Sequence, residues 1–391
     1  MKARRKICVI TGSRSEYGLL RWILKEIKSD SDLELQIVAT AMHLSPEFGM
    51  TCHQIEDDGF TIDVAIETLL SSDTPVGISK SLGLGLISYA EAFERLRPDL
   101  LVLLGDRSEI LAAATAALIN RIPIAHLHGG ELTEGAIDDS IRHSITKMSK
   151  IHFTSTEIYR NRVIQLGEHP DTVHCVGAPG LESIRKLDLM SKKQLETDLK
   201  FGFDTPTILV TYHPVTLATR PERGAFSELL SALELFPKAK LIFTYPNADT
   251  HGRTIIRQIE RFKEQQGSRV LVKASLGQLR YLSALQHVDA VIGNSSSALI
   301  EAPSLKTPSV DVGIRQKGRI APETVIQCGE TLVEIERAIS KAISSEFQSF
   351  VKTVTNPYGD GDVARRVLPI LKSVKLDELI VKSFYDLKND T

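Results

Sequence analysis

The feature that most constrains this chain is an alternation. Short runs of β-branched and other apolar residues recur along almost the whole sequence, and longer stretches with apolar residues at helical spacing lie between them. Such alternation predicts parallel sheets wrapped by helices, because a parallel strand pair needs a crossover long enough to hold a helix. Strands are expected at Ile7–Thr11, Leu35–Ala41, Leu100–Leu104, Ile122–Leu127, Ile151–Thr154 and Val173–Val176. Between them, Tyr17–Ile27 places Leu20, Ile23 and Ile27 on one helical face, Glu109–Asn120 is rich in Ala and Leu, and Ser140–Met148 repeats Ile141, Ile145 and Met148. A second series of strands follows at Thr207–Tyr212, Lys240–Tyr245, Val270–Val272, Ala290–Ile292, Ser309–Val312 and Val325–Gln327.

Gly177-Ala178-Pro179-Gly180 separates the two series. At 391 residues the chain exceeds one ordinary core and suits two domains of about 150–200 residues. The expected fold class is α/β, with two doubly wound Rossmann-like domains spanning residues 1–178 and 179–364. The charged stretch Lys186–Lys200 reads as the first helix of the second domain. The C-terminal pattern Val367, Ile370, Leu371 and Val374 reads as a helix, within about residues 365–391; that it packs back on the first domain is an expectation from fold analogy alone. Two such domains facing one another make a cleft, with ligands beyond the carboxyl ends of the strands.

Composition narrows the partners. The 47 Lys+Arg and 49 Asp+Glu leave a formal charge of −2, which gives no electrostatic case for nucleic acid or an anionic membrane. An anionic small ligand needs only a local pocket. No apolar stretch reaches the roughly 18 residues of a membrane span, and the apolar run after the basic start ends at Gly12, too early for a secretory leader. A cytoplasmic protein is expected. Cys8, Cys52, Cys175 and Cys328 lie far apart with no CxxC pair, so neither a zinc site nor a disulfide framework is signalled. Cys8 and Cys175 read as core thiols.

Chemistry-bearing residues cluster where strands end. Thr11-Gly12-Ser13-Arg14-Ser15-Glu16-Tyr17-Gly18 follows the first strand and opens a helix, where free N–H groups attract anions and Arg14 could clamp a phosphate. A tight turn at Gly12 with a surface Arg14 is the alternative. The spacing is neither GxGxxG nor GxxxxGK[ST], so a nicotinamide or P-loop reading lacks its residues. Gly293-Asn294-Ser295-Ser296-Ser297 is a second strand-to-helix turn, whose hydroxyls could cap the helix or meet a diphosphate. Glu301, about one and a half turns on, could accept the ribose hydroxyls or be a plain helix-face carboxylate.

Gly105-Asp106-Arg107 ends one strand and His126-Leu127-His128-Gly129-Gly130-Glu131 the next. Asp106 stands where this fold puts catalytic groups, or else caps the helix that follows. His128 and Glu131 could face a ligand, and His126 and His128, two apart on a strand, share a face, with no third metal ligand evident. Asp138-Asp139-Ser140-Ile141-Arg142-His143 opens another helix with four ionisable groups, either caps or proton-transfer groups tuned by neighbours. His213, before Pro214, ends a strand of the second domain.

Together these segments resemble the UDP-N-acetylglucosamine 2-epimerase family, and most of all its hydrolysing bacterial branch that feeds sialic-acid synthesis. The resemblance also takes in Glu301-Ala302-Pro303 and Asp311–Arg319, and runs over nearly the whole chain. It implies a GT-B glycosyltransferase-like fold, a homodimer or homotetramer, a UDP-sugar substrate and no cofactor. It implies that Ser295, Ser296 and Glu301 hold diphosphate and ribose, that Arg14 and Arg315 approach the diphosphate, and that Asp106 and Asp138 are the principal acid/base pair. His128 or His213 would shuttle the second proton, with Glu131 and Arg142 beside them. Many members carry Glu where this chain has His128. The implied reaction eliminates UDP from UDP-N-acetylglucosamine and hydrates the glucal to N-acetylmannosamine. UDP-2,4-diacetamido-2,4,6-trideoxyglucose, of legionaminic-acid synthesis, is the rival substrate. Rivals in kind are a non-hydrolysing epimerase, a glycosyltransferase and a catalytically silent UDP-sugar sensor.

If Glu301 holds the ribose, Glu301→Ala should weaken UDP binding by about ten-fold or more, the effect of losing hydrogen bonds to a charged acceptor. Titration calorimetry with UDP checks this, and unchanged affinity removes the ribose assignment.

Overall fold

The computed structural model describes residues 4–70, 72, 74–134, 136–215, 223–246, 252–379 and 381–387. Two compact units emerge. The first comprises residues up to Glu131, Asp138–Ser183 and the stretch from Tyr358 onward; the second comprises Leu132–Ile137 and Ile184–Pro357.

In the first unit a seven-stranded parallel sheet has the order β3-β2-β1-β4-β5-β6-β7. Its strands are β1 (Arg5–Thr11), β2 (Leu33–Thr40), β3 (Val64–Ile66), β4 (Leu100–Leu104), β5 (Ile124–Leu127), β6 (Ile151–Thr154) and β7 (Val173–Cys175). The central register pairs Val9 with Ile37 on one side and Val102 on the other. Side chains alternate across the sheet, so the middle of β1, Ile7–Ile10, must be apolar at every position to bury both faces. Ile7 and Val9 join one core with Leu20, Ile23, Leu24 and Ile27, while Cys8 and Ile10 join the other with Tyr89, Phe93 and Ile110. The helix Arg14–Ser29 starts where Ser13, in extended conformation, accepts the Glu16 N–H.

The helix Val363–Ser373 belongs to the first unit. Val363, Ala364, Val367 and Leu371 lie in the same core as Leu20 and Ile23, each essentially without solvent contact. Burying a side chain the size of Val or Leu contributes about 1.5–3 kcal/mol, so this helix is part of the core.

The second unit holds a six-stranded parallel sheet of order β10-β9-β8-β11-β12-β13. Its strands are β8 (Thr207–Thr211), β9 (Lys240–Thr244), β10 (Val270–Lys273), β11 (Ala290–Gly293), β12 (Ser309–Val312) and β13 (Val325–Cys328). Ile208, Val210, Leu241 and Phe243 meet Phe226, Leu229, Ile335 and Ile339 in one core. Both sheets have the strand order of a Rossmann-like α/β unit.

The fold departs from the sequence reading in its elements and boundaries. Strand β3 was not foreseen: it is three residues at the sheet edge, and only Ile66 is buried. The stretch Lys186–Lys200 is not one helix. Helix Gly180–Lys186 ends there, and Lys192–Leu199 starts afresh from Ser191, whose side chain and that of Gln194 form a reciprocal capping box. The units divide at Ser183/Ile184 and Pro357/Tyr358, a few residues from the expected 178/179 and 364/365, and Leu132–Ile137 groups with the second unit. Cys175 is only half-buried, because β7 is an edge strand, whereas Cys8 is fully buried. Gly135 and Thr216 lie outside the described residues, and no helix among those described is long and apolar enough to cross a membrane.

Candidate active site

In the first unit the ends of β4 and β5 and the helix Asp138–Met148 bring six of the sequence candidates close in the fold. Arg142, fully buried, is the hub. Its Nη2 donates to Asp106 Oδ2, and its Nη1 donates to the Glu131 carbonyl at 2.8 Å and to Asp139 Oδ1 at 3.5 Å. A buried guanidinium is held only if its donors are met, and removing one anionic partner from such a group typically costs about 3–5 kcal/mol. Arg142 therefore fixes Asp106, whose side chain keeps 22% exposure.

Asp106 does not cap the next helix. Arg107 occupies the cap of Ser108–Ile119 and makes no side-chain cap bond. Asp138 and Asp139 lie inside the first turn of their helix, and Asp139 also meets His143 Nε2 at 3.6 Å. Burial pushes the His143 imidazole below its ordinary value although Asp139 opposes this.

His128, half-buried, pairs with the buried Glu131. His128 Nδ1 lies 2.6 Å from Glu131 Oε1, and Ser155 Oγ donates to that same oxygen at 3.0 Å. His128 sits one residue past β5 with φ +66°, so the expectation that it shares a strand face with His126 fails. Its Nε2 is buried without a hydrogen-bond partner among the described residues. His126 instead points into the unit, with Nε2 2.8 Å from the Gly105 carbonyl and Nδ1 3.3 Å from Thr146 Oγ1. Burial lowers its pKa to about 3, so the ring is neutral.

The turn after β1 differs from its sequence reading. Gly12 does not offer its N–H to an anion, because that N–H donates to Glu16 Oε2 at 2.7 Å. Its φ is not left-handed either. Glycine is needed because a Cβ would stand 2.7 Å from Glu109 Oε1. Glu16 and Glu109 share Arg107, whose Nε lies 2.8 Å from Glu109 Oε1 and 3.9 Å from Glu16 Oε1. Burial, with Glu109 adding to it, pushes the Glu16 carboxyl up to about 8. Arg14 is half-buried at the first position of the helix. Sequence reasoning missed this carboxylate pair; Glu109 gives no sign of it, since an acid in a first helical turn is ordinary.

In the second unit the turn after β11 is built around Asn294, fully buried. Its side chain accepts the His213 N–H at 2.6 Å and donates to the His213 carbonyl at 2.8 Å, fastening the end of β8 to that of β11. Gly293, at φ +142°, allows this approach, because a Cβ there would stand 1.9 Å from the Thr211 carbonyl oxygen. The Asn294 carbonyl accepts from Arg315 Nη1 at 3.2 Å and Gln316 Nε2 at 2.7 Å. Arg315 and His213, through Asn294, thus meet the turn that carries Ser295 and Ser296. The helix that follows is shorter than expected, Ser297–Ile300, so Glu301 sits at its C-terminal cap rather than inside it. Ser296 occupies the N-cap without a side-chain cap bond, and Ser295 Oγ accepts the Ser297 N–H at 3.4 Å.

The family model described as UDP-N-acetylglucosamine 2-epimerase matches residues 25–372, most of the chain. This chain belongs to the UDP-N-acetylglucosamine 2-epimerase family. A GDP/UDP-N,N'-diacetylbacillosamine 2-epimerase (hydrolyzing) of Campylobacter jejuni is 41% identical over 98% of this chain and 100% of its own. The polysialic acid biosynthesis protein P7 of Escherichia coli is 38% identical over 99% of both. The crystal structure of UDP-GlcNAc 2-epimerase from Neisseria meningitidis bound to UDP-GlcNAc superposes with TM-score 0.80 at 20% identity, covering 94% of this chain and 100% of that one. That likeness establishes the GT-B-like fold of this family member.

The raised Glu16 pKa has a measurable sign. A carboxyl whose folded pKa lies above its unfolded value of about 4.3 contributes stability that is full below that pH and is lost as pH rises through about 8. In Glu16→Gln, which keeps an acceptor for the Gly12 N–H, melting temperature should fall less between about pH 5 and 9 than in wild type. Parallel thermal melts across that range check it; identical slopes would show that Glu16 is not the titrating group.

Proposed function

We propose that this family member is a hydrolysing UDP-sugar 2-epimerase, and that the acid/base work is done by the first unit's cluster. The observation that carries this reading is the Asp106–Arg142–Asp139 network beside the His128–Glu131 pair. It supplies carboxylates held in place by a buried cation, next to an imidazole with a ring nitrogen still to be matched.

The chemistry follows from the sugar. The hydrogen on carbon 2 is weakly acidic, so its removal needs a positioned base, which contributes about 10²–10⁴-fold. Asp106 or Asp138 takes that proton. The C1–O bond breaks, its electron pair leaves with UDP, and a double bond forms between carbons 1 and 2. Arg14, Ser295, Ser296 and Arg315 hold the departing diphosphate, and Glu301 the ribose. Water then gives hydroxide to carbon 1, and carbon 2 receives a proton on the opposite face, inverting it. His128, braced by Glu131, is suited to relay that second proton through Nε2, and His213 is the other candidate. No step calls for a nicotinamide or a metal.

Two sugars fit this chemistry, since both carry the 2-acetamido group and the carbon 2 hydrogen. From motifs alone the preference is UDP-N-acetylglucosamine. The Campylobacter relative, at 41% identity over its whole length, supports UDP-N,N'-diacetylbacillosamine, and we place that sugar first. The polysialic acid relative at 38% supports the second reading, UDP-N-acetylglucosamine giving N-acetylmannosamine for sialic-acid synthesis.

Proton NMR in deuterated water, with each UDP-sugar in turn, tests both layers. Free UDP with product deuterated at carbon 2 is expected, faster from the diacetamido sugar. Faster turnover of UDP-N-acetylglucosamine would reverse the order of substrates. UDP binding without turnover of either would sink the epimerase and favour the sensor.

Asp106→Asn should reduce turnover by about 10²-fold or more while UDP affinity stays within a few-fold, because this residue serves the sugar and not the nucleotide. Near-wild-type turnover in the folded variant would remove Asp106 from the reaction.

A further inference from the structure

The tail Val381–Leu387 lies over the carboxyl end of the helix that carries Arg142. Tyr385 N–H donates to the Gly167 carbonyl at 2.9 Å, and its ring packs on Val163, Ile164 and Val173. Lys150 Nζ holds the Val381 carbonyl at 2.7 Å. From this tethered segment Lys382 sends its ammonium into the last turn of helix Asp138–Met148. Its Nζ donates to the carbonyls of Lys147 at 2.7 Å and Ser149 at 2.6 Å, lies 3.3 Å from that of Thr146, and pairs with Glu168 Oε2 at 2.7 Å.

The last carbonyls of a helix have no intrahelical donors, and its dipole leaves partial negative charge there. A cation shared by these carbonyls and a buried carboxylate is a strong cap, because each contact is charge-assisted. Glu168 is itself almost wholly buried and also receives Lys147 at 2.7 Å and His152 at 2.9 Å. None of the proposed epimerase steps touches Lys382.

We propose that Lys382 is a positioning residue for the acid/base cluster: by capping helix Asp138–Met148 it fixes where Arg142 and Asp106 stand. The inference rests on the epimerase reading. Two physical routes lead from the cap to the cluster. One is the rigid helix, which carries Arg142 to Asp106 and Asp139. The other is Thr146, whose hydroxyl meets His126 Nδ1 at 3.3 Å; His126 Nε2 holds the Gly105 carbonyl at 2.8 Å, and Gly105 immediately precedes Asp106. Small displacements at reacting groups are costly, about 10²-fold for 1 Å.

The groups facing this ammonium are Glu168, Lys147, His152 and Lys150. Burial lowers the Lys382 pKa to about 8, with Glu168 opposing and Lys147 and Lys150 adding to it. Above that pH the amine loses its charge and the cap weakens, so wild-type kcat should fall on the alkaline side. Arginine at this position stays charged throughout.

Wild type, Lys382→Met and Lys382→Arg separate positioning from mere tethering. In Lys382→Met, kcat should drop about ten-fold or more while KM and UDP affinity stay within about two-fold, the signature of misplaced chemistry. Amide hydrogen exchange should speed up in helix Asp138–Met148. In Lys382→Arg, kcat should be retained and its alkaline fall should move upward. A folded Lys382→Met with unchanged kcat and only a lower melting temperature overturns the proposal. Should that variant fail to fold, an alkaline limb unmoved in Lys382→Arg overturns it by itself. If wild type turns over no UDP-sugar, the epimerase reading is what has failed, and hydrogen exchange still decides whether Lys382 holds the helix.

Discussion

Everything functional in this molecule depends on parallel pairing. When all strands of a sheet point one way, every carboxyl end lies at the same edge, and each following loop must start there. In the first unit that edge gathers Gly12 after β1, Asp106 after β4 and His128 with Glu131 after β5. In the second it gathers His213 after β8, the Asn294 turn after β11 and Arg315 after β12. Residues far apart in the chain become neighbours because backbone hydrogen bonds, and not the side chains themselves, set the register.

Buried polar groups then sharpen this arrangement. A guanidinium without solvent must be satisfied on several sides, so Arg142 allows few positions for Asp106, Asp139 and the backbone at Glu131. Asn294 does the same with a neutral amide, whose acceptor and donor both engage the backbone of His213. Such groups contribute specificity of geometry more than net stability.

Much of this was legible in the sequence, and the limits are physical. The apolar runs disclosed twelve strands because buried parallel strands must be apolar on both faces. The thirteenth, Val64–Ile66, buries one side chain of three and leaves no such trace. Asp106, His128 and Glu131 were visible as polar residues just past strands and Arg142 as one near a helix start, yet their pairing was not, since it depends on the relative turns of elements far apart in the chain. The Glu16–Glu109 apposition was hidden for the same reason: it exists only because β1 and β4 are neighbours. Helix lengths misled where capping decides them, as with Ser191 inside the charged stretch and the brief Ser297–Ile300 turn.

The first unit is not one continuous piece of chain. Its sheet is complete by Cys175, but Val363, Ala364, Val367 and Leu371, which close one of its cores, come only after the whole of the second unit's sheet. During synthesis the ribosome therefore delivers seven strands with one of their two cores still unclosed while the second unit is made. The later half of the chain can finish folding first, and the earlier half is sealed last. Until then the face of helix Arg14–Ser29 that meets helix Val363–Ser373 is the surface that a nascent-chain chaperone would have to shield.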